Sequence, residues 1–159
     1  MAKKATIVMG SERDLDFSKR IAEVLTALNV PYEFRVGSAH KTPERVLDIL
    51  RQDEEETAVF ITVAGRSNAL SAFVDANTVR PVIACPPYSE KFGGADIYSS
   101  LRIPSGIGSL VTVEPEGAAI AAAKILALED QKLARRIKEY QLAKRKQIER
   151  ADESIRKLR

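Results

Sequence analysis

The sequence predicts a three-layer, doubly wound α/β domain with a parallel sheet and a long C-terminal helix. Two observations carry this. Short apolar runs alternate with stretches of helical periodicity, in the order strand then helix, repeated along the chain. The strand-like runs are apolar throughout, as strands buried on both faces are. Right-handed crossovers then place helices on both sides of the sheet, in a flavodoxin-like or Rossmann-like arrangement.

Each element has its own signal. Residues 5–9 form an apolar run that ends in Gly10-Ser11, a strand entering a turn. Leu15, Ser18, Ile21, Ala22, Val24, Leu25 and Leu28 then recur at helical spacing, and Asn29, Val30 and Pro31 stop that helix. Residues 32–36 are a second strand. Thr42 stands as N-cap and Pro43 at the first position of a helix through residues 44–51. A third strand covers residues 59–65, a short helix residues 70–77, and a fourth strand residues 82–85, closed by Pro86-Pro87. A fifth strand covers residues 110–113. Residues 117–128 are Ala-rich and apolar nearly all round, which predicts a buried helix.

The last segment is of another kind. Leu133, Ile137, Tyr140, Ile148, Ala151, Ile155 and Leu158 fall at steps of three and four, interrupted by Lys144. A helix of about 28 residues would run roughly 42 Å, more than a domain of this size covers. The division expected is a single α/β domain over residues 1–128 and a helix over residues 129–159 that packs on neighbouring subunits or else is solvated and frays at its end.

Composition removes several classes of function. One Cys excludes an intrachain disulfide, and one His excludes a multi-histidine metal site. No apolar stretch is long enough to span a membrane, and the N-terminal run is too short for a signal peptide, so a reducing, cytoplasmic location is expected. The net charge of +3 hides an asymmetry: residues 129–159 carry 11 basic and 6 acidic side chains, leaving 14 and 16 in the first 128 residues. The basic excess therefore belongs to the tail, where Glu139, Glu149, Asp152 and Glu153 are interleaved with Lys and Arg. That is a solvated, charge-laced helix and not a nucleic-acid arm.

Ligands of doubly wound sheets bind at the carboxyl ends of the strands. The unusual polar residues gather there. Gly10-Ser11-Glu12-Arg13-Asp14 follows the first strand. Its glycine permits close backbone approach, Ser11 and Arg13 suit a phosphate, and Asp14 suits ribose hydroxyls. The same pattern also serves a plain helix cap. It is not a phosphate-binding P-loop, since the Gly-Lys-Ser/Thr ending is missing. His40 follows the second strand, flanked by Ser38 and Lys41, and imidazole is the side chain that carries protons near neutrality. A lone loop histidine is also an ordinary surface residue. Gly65-Arg66-Ser67-Asn68-Ala69 follows the third strand and either closes over a planar ligand or makes a tight turn. Cys85 lies within an apolar strand and reads as a small hydrophobe. The glycine-rich segment 92–96 reads as a lid or a connection.

Taken together, Met9-Gly10-Ser11-x-x-Asp14, Ser38-Ala39-His40-Lys41-Thr42-Pro43 and Ala64-Gly65-Arg66-Ser67-Asn68-Ala69-Leu70 resemble the three signature segments of the PurE family. The resemblance continues through Ile83-Ala84-Cys85-Pro86-Pro87 and Ala95-Asp96-Ile97-Tyr98-Ser99-Ser100-Leu101-Arg102. It implies action on 5-aminoimidazole ribonucleotide in purine biosynthesis. The family's first class moves a carboxyl group from nitrogen to carbon, and there the second motif usually reads Ser-Ala-His-Arg and the third contains a second His. Lys41 and the His-free Gly65-Arg66-Ser67-Asn68-Ala69 look like the second class, which carboxylates the ribonucleotide directly with carbon dioxide. Arg13 departs from the family, where Ser is common.

The resemblance makes His40 the proton carrier, the residue singled out above on chemical grounds. It places Ser11, Asp14, Ser38, Lys41, Gly65 and Ser67 against the nucleotide, with no cofactor, no metal and no nucleic acid. Ser11 and Lys41 are expected near phosphate, Asp14 on ribose, and Gly65 and Ser67 near ring and carboxylate. Homo-oligomers, commonly octamers, are expected, with sites near subunit interfaces. Two other readings stand beside this one. The mutase of the first class shares the fold and His40, and a non-catalytic flavodoxin-like nucleotide-binding module needs neither His40 nor its loop.

Overall fold

The computed structural model describes residues 3–158. Five parallel strands form one sheet in the order β2-β1-β3-β4-β5: β1 (Lys4–Met9), β2 (Tyr32–Val36), β3 (Thr57–Val63), β4 (Val82–Ala84) and β5 (Leu110–Val111). Parallel neighbours need crossovers, and helices supply most of them. These are α1 (Leu15–Ala27), α2 (Pro43–Asp53), α3 (Ala69–Asp75) and α4 (Tyr98–Leu101), while α5 (Pro115–Leu126) follows the last strand and packs back beside α1. The last helix, α6 (Gln131–Arg156), follows α5.

Side chains alternate across each strand, so the two faces of the sheet hold separate cores. Ala5, Ile7 and Met9 of β1 and Val59, Ile61 and Val63 of β3 pack with Ile21 and Leu25 of α1 and the alanines of α5. Val8 and Phe60 point the other way, onto Val46, Ile49 and Leu50 of α2 and Leu70 and Val74 of α3. Both faces are apolar because both are covered. Full burial of one such large side chain contributes roughly 1.5–3 kcal/mol. Ala118, Ala119, Ala122 and Ala123 are fully buried, and their small volume lets α5 lie close to α1 and the sheet. Buried hydroxyls are paired where they face one another, as with Thr6 and Thr57 at 2.7 Å.

Several boundaries differ from those expected. The helix after β1 opens with a 3-10 turn over Glu12–Asp14 before the α-helix begins at Leu15. The third strand starts and ends two residues early, because Ala64 and Gly65 already leave the sheet toward the rim. The fifth strand is only two residues long: after a last bond from the Thr112 amide to Ala84 O, the chain turns into Pro115 at the start of α5. Thr42 holds the N-cap position of α2, but its hydroxyl makes no cap bond. That hydroxyl turns back to accept the Ser38 amide at 3.0 Å.

The 26 residues of α6 run about 39 Å at 1.5 Å per residue. Asp130 caps the helix by accepting the amides of Lys132 and Leu133. Leu133 and Ile137 are buried against the α1–α5 face. Tyr140 Oη and Lys144 Nζ both reach Glu116, at 3.0 and 3.2 Å. Beyond that point the helix leaves the domain, and Ile148, Ile155 and Leu158 are 71%, 67% and 83% exposed. Among the described residues, no helix is long and apolar enough to cross a membrane.

Candidate functional site

Strand order brings the three sequence motifs together. The chain leaves β1 toward β2 on one side and later returns to β3 on the other, so a crevice opens where the connections diverge. Backbone hydrogen bonds continue past the strand ends and tie the loops side by side. Gly37 donates its amide to Met9 O at 2.9 Å, and Gly10 donates to Val63 O at 2.9 Å. A Cβ on Gly10 would stand 3.2 Å from Ala64 Cβ, and one on Gly65 would stand 3.8 Å from Pro87 O. The rim therefore reads, in spatial order, His40 loop, Ser11 loop, Gly65 loop and Pro87 loop.

In the first loop, Asp14 Oδ2 accepts the Ser11 amide at 3.0 Å and lies 3.3 Å from the Ser11 hydroxyl. The capping alternative is thus realised locally, and both bonds use one carboxylate oxygen. Burial pushes the Asp14 carboxyl above its ordinary range, and the two Ser11 bonds oppose that shift only in part. Arg13 is exposed beside it.

The second loop is a closed turn. Thr42 N donates to Ser38 O at 2.8 Å, Ser38 N to Thr42 Oγ1, and Lys41 N to Ser38 Oγ at 3.3 Å. Gly37 is buried under α2: a Cβ there would stand 2.9 Å from Val46 Cγ2. The turn presents His40 and Lys41 exposed at the rim, ahead of Pro43.

The third loop is held by a polar network that the sequence did not announce. Asn68 is 3% exposed. Its Oδ1 accepts the Ser71 amide, and its Nδ2 donates to Ser71 Oγ at 2.7 Å and Ser100 Oγ at 2.9 Å. Ser71 Oγ also meets Thr62 Oγ1 at 2.8 Å. The Asn before Ala69 carried a legible cap signal, since Asn favours that position. The partnership with Ser99 and Ser100 had none, because those residues lie 31 and 32 positions away. Arg66 adopts φ of 58°, the left-handed region.

Cys85 is buried, and desolvation pushes its thiol up to about 12. It is a core residue and not a nucleophile. Among the described residues, no three His, Cys, Asp or Glu side chains stand where they could share a metal ion. A hollow of about 590 Å³ lies at the opposite end of the sheet, lined by Asn29, Pro31, Ala58, Arg80, Leu128 and Arg136. It is remote from the motif loops and belongs to the strands' amino ends.

Comparison with known proteins decides what this rim belongs to. The family model described as AIR carboxylase matches residues 4–147, nearly the whole chain and all three loops. The chain belongs to the AIR carboxylase family. It is 56% identical over 153 residues to a phosphoribosylaminoimidazole carboxylase of Archaeoglobus fulgidus, a match that spans 96% of this chain and 85% of that protein. It is 48% identical over 136 residues to one from Treponema denticola, spanning 84% and 86%. The crystal structure of Treponema denticola PurE superposes with a TM-score of 0.92 at 44% identity, over 96% of this chain and 98% of that one. The doubly wound sheet and the long C-terminal helix are therefore those of an AIR carboxylase family member.

Proposed function

We propose that this chain is a phosphoribosylaminoimidazole carboxylase of the second class, which reversibly joins carbon dioxide to 5-aminoimidazole ribonucleotide without ATP. The observation that carries the reading is the rim itself. Ser11, Asp14, Ser38, His40, Lys41, Gly65 and Ser67 come from three loops pinned side by side by backbone bonds at the ends of β1, β2 and β3. The absence of a second His from the Gly65 loop supports direct carboxylation over the mutase.

The chemistry needs few parts. The aminoimidazole is an enamine: the exocyclic nitrogen lone pair raises electron density at the unsubstituted ring carbon. That carbon attacks carbon dioxide, forming the carbon–carbon bond and a carboxylate. The ring carbon now bears both the carboxylate and its original proton. His40, neutral, removes that proton, and the electron pair restores the aromatic ring. In reverse, His40 in its protonated form delivers the proton, the carbon–carbon bond breaks, and carbon dioxide leaves. The base is a single proton carrier, a device that typically contributes about 10²–10⁴-fold.

Asp14 is assigned to the ribose, where its second oxygen accepts hydroxyls while Ser11 occupies the first. Ser11 and Lys41 are assigned to the phosphate, with Ser38 shaping the turn that presents Lys41. Gly65 and Ser67 face the ring and carboxylate. Exposure of His40 and Lys41 in the single chain, with the bare second half of α6, supports assembly into a homo-oligomer in which neighbours complete and dry the site; the number eight comes from the family resemblance alone. The enzyme so described is cytoplasmic and takes only small-molecule substrates.

The test is a spectroscopic assay with 5-aminoimidazole ribonucleotide and dissolved carbon dioxide, ATP omitted. Product formation above the uncatalysed rate is expected. Turnover of the nitrogen-carboxylated isomer alone would assign the mutase instead, and turnover of neither would leave a binding module.

A further inference from the structure

Ser99 lies outside the three motif loops, on the short α4 that follows the glycine-rich connection. Its hydroxyl lies 2.9 Å from Arg66 O and 2.7 Å from Asp96 O, donating one proton shared between two carbonyls. The same oxygen accepts the Asn68 amide at 2.9 Å. One hydroxyl thus grips the backbone on both sides of Ser67 and fastens it to the chain 31 to 33 positions later.

The gripped segment is under conformational tension. Arg66 sits at φ of 58° without being glycine. A residue with a side chain keeps that geometry only where its surroundings hold it. Ser99 makes the bond to the Arg66 carbonyl, at the residue that needs holding.

We infer that Ser99 is a positioning residue for the carboxylation: it holds residues 65–67 in the shape that receives the substrate's ring and carboxylate. It does not act on substrate itself, because its proton is already taken by two protein carbonyls. Nor is it a general fold determinant. The Asn68 side chain is fastened separately to Ser71 and Ser100, and Ser71 to Thr62, so the α3 cap and the core beneath survive its loss. What is released is the Arg66 and Asp96 carbonyls and the Asn68 amide. The inference rests on the reading of this rim as the ribonucleotide site.

The experiment compares Ser99→Ala, Ser99→Thr and His40→Asn in the full-length protein. It measures kcat and KM for 5-aminoimidazole ribonucleotide, Tm, and hydrogen exchange at residues 66–68. Displacing a binding group by about 1 Å costs on the order of 10²-fold. Ser99→Ala is expected to lower kcat/KM by about 10-fold or more, to speed exchange at Asn68, and to move Tm by less than about 3 °C. Ser99→Thr restores the hydroxyl and most of the rate. Unchanged kcat/KM in Ser99→Ala overturns the inference. Equal losses in the Ala and Thr variants, with Tm falling in parallel, also overturn it and leave a structural role. His40→Asn separates the two readings. If it stays active, the site assignment itself fails; if it is inert beside a normal Ser99→Ala, only the Ser99 inference fails.

Discussion

The amide of Gly37 donates to the carbonyl of Met9 at 2.9 Å, one step beyond the last strand pairing of β1 and β2. The loop that carries His40 is thereby registered against the strand that delivers Ser11. Gly37 is glycine because α2 presses on it: a Cβ would stand 2.9 Å from Val46 Cγ2 and 3.2 Å from Ile49 Cδ1. Neither the branched Val46 nor the packed Ile49 yields freely. Gly37→Ala should therefore cost about 1–3 kcal/mol in urea unfolding, the usual penalty of overpacking. Adding Val46→Ala should recover part of it, and full stability in the single variant would remove the close-packing account.

His40→Asn should lower kcat by about 10²–10⁴-fold while leaving ribonucleotide affinity within a few-fold of wild type. Asn keeps the polarity of the turn and removes the titratable nitrogen. Isothermal titration beside steady-state kinetics reads both quantities. A comparable loss in binding would make His40 a binding group and not the proton carrier.

Asp14 gives a pH dependence whose sign follows from its burial. Its carboxyl titrates above the ordinary carboxylate range because burial disfavours the charge. The folded protein therefore holds that proton more tightly than the unfolded chain. The stability it contributes is greatest at acid pH and is lost as pH rises through the folded-state value. On the proposed assignment of Asp14 to the ribose, substrate binding runs the other way, since ribose hydroxyls need the ionised acceptor. KM should rise on acidification sooner than for an unperturbed Asp. Asp14→Asn should bind more weakly and lose that slope, and a variant keeping the wild-type KM–pH profile would take Asp14 out of the site.

A second charged cluster is purely structural. Arg35 Nη1 lies 2.6 Å from Asp53 Oδ2 and 3.3 Å from Glu33 Oε1, and Lys4 also bonds Glu33. Asp53 is buried, and desolvation raises its carboxyl against the pull of Arg35. Arg35→Ala leaves that buried carboxylate short of its guanidinium, and breaking one side of such a pair costs about 3 kcal/mol. A Tm within 2 °C of wild type, roughly the shift of less than 1 kcal/mol, would show that Lys4 compensates alone.

Truncation after Arg145 tests the bare half of α6. The shortened chain keeps Leu133, Ile137 and the Tyr140 and Lys144 bonds to Glu116, so each domain should still fold. It loses Ile148, Ile155 and Leu158. Light scattering is expected to show a smaller assembly with reduced activity. An unchanged mass would exclude the distal half of α6 from the interface.

Much of this was legible in one dimension. Periodicity revealed the strands and helices because burial on both faces demands continuous apolar runs, as in β1 and β3. Motif chemistry marked His40 and Asp14 as candidates because few residue types carry protons or accept ribose hydroxyls, and the fold sets both on one rim. Local hydrogen bonding was less legible where one side chain had two possible uses. Thr42 is the clearest case: it holds the N-cap position expected of it, yet spends its hydroxyl on the Ser38 amide four residues back.

The sequence by itself determined the fold class, the order of elements and the residue types able to do the chemistry, since these depend on spacing within a few turns of chain. Which residues meet was decided only in three dimensions. The pairing of β1 with both β2 and β3 set three motifs, separated by dozens of residues, on one rim. The same folding brought Ser99 and Ser100 under Arg66 and Asn68. No periodicity encodes such contacts, because they join segments whose only common property is where the sheet delivers them.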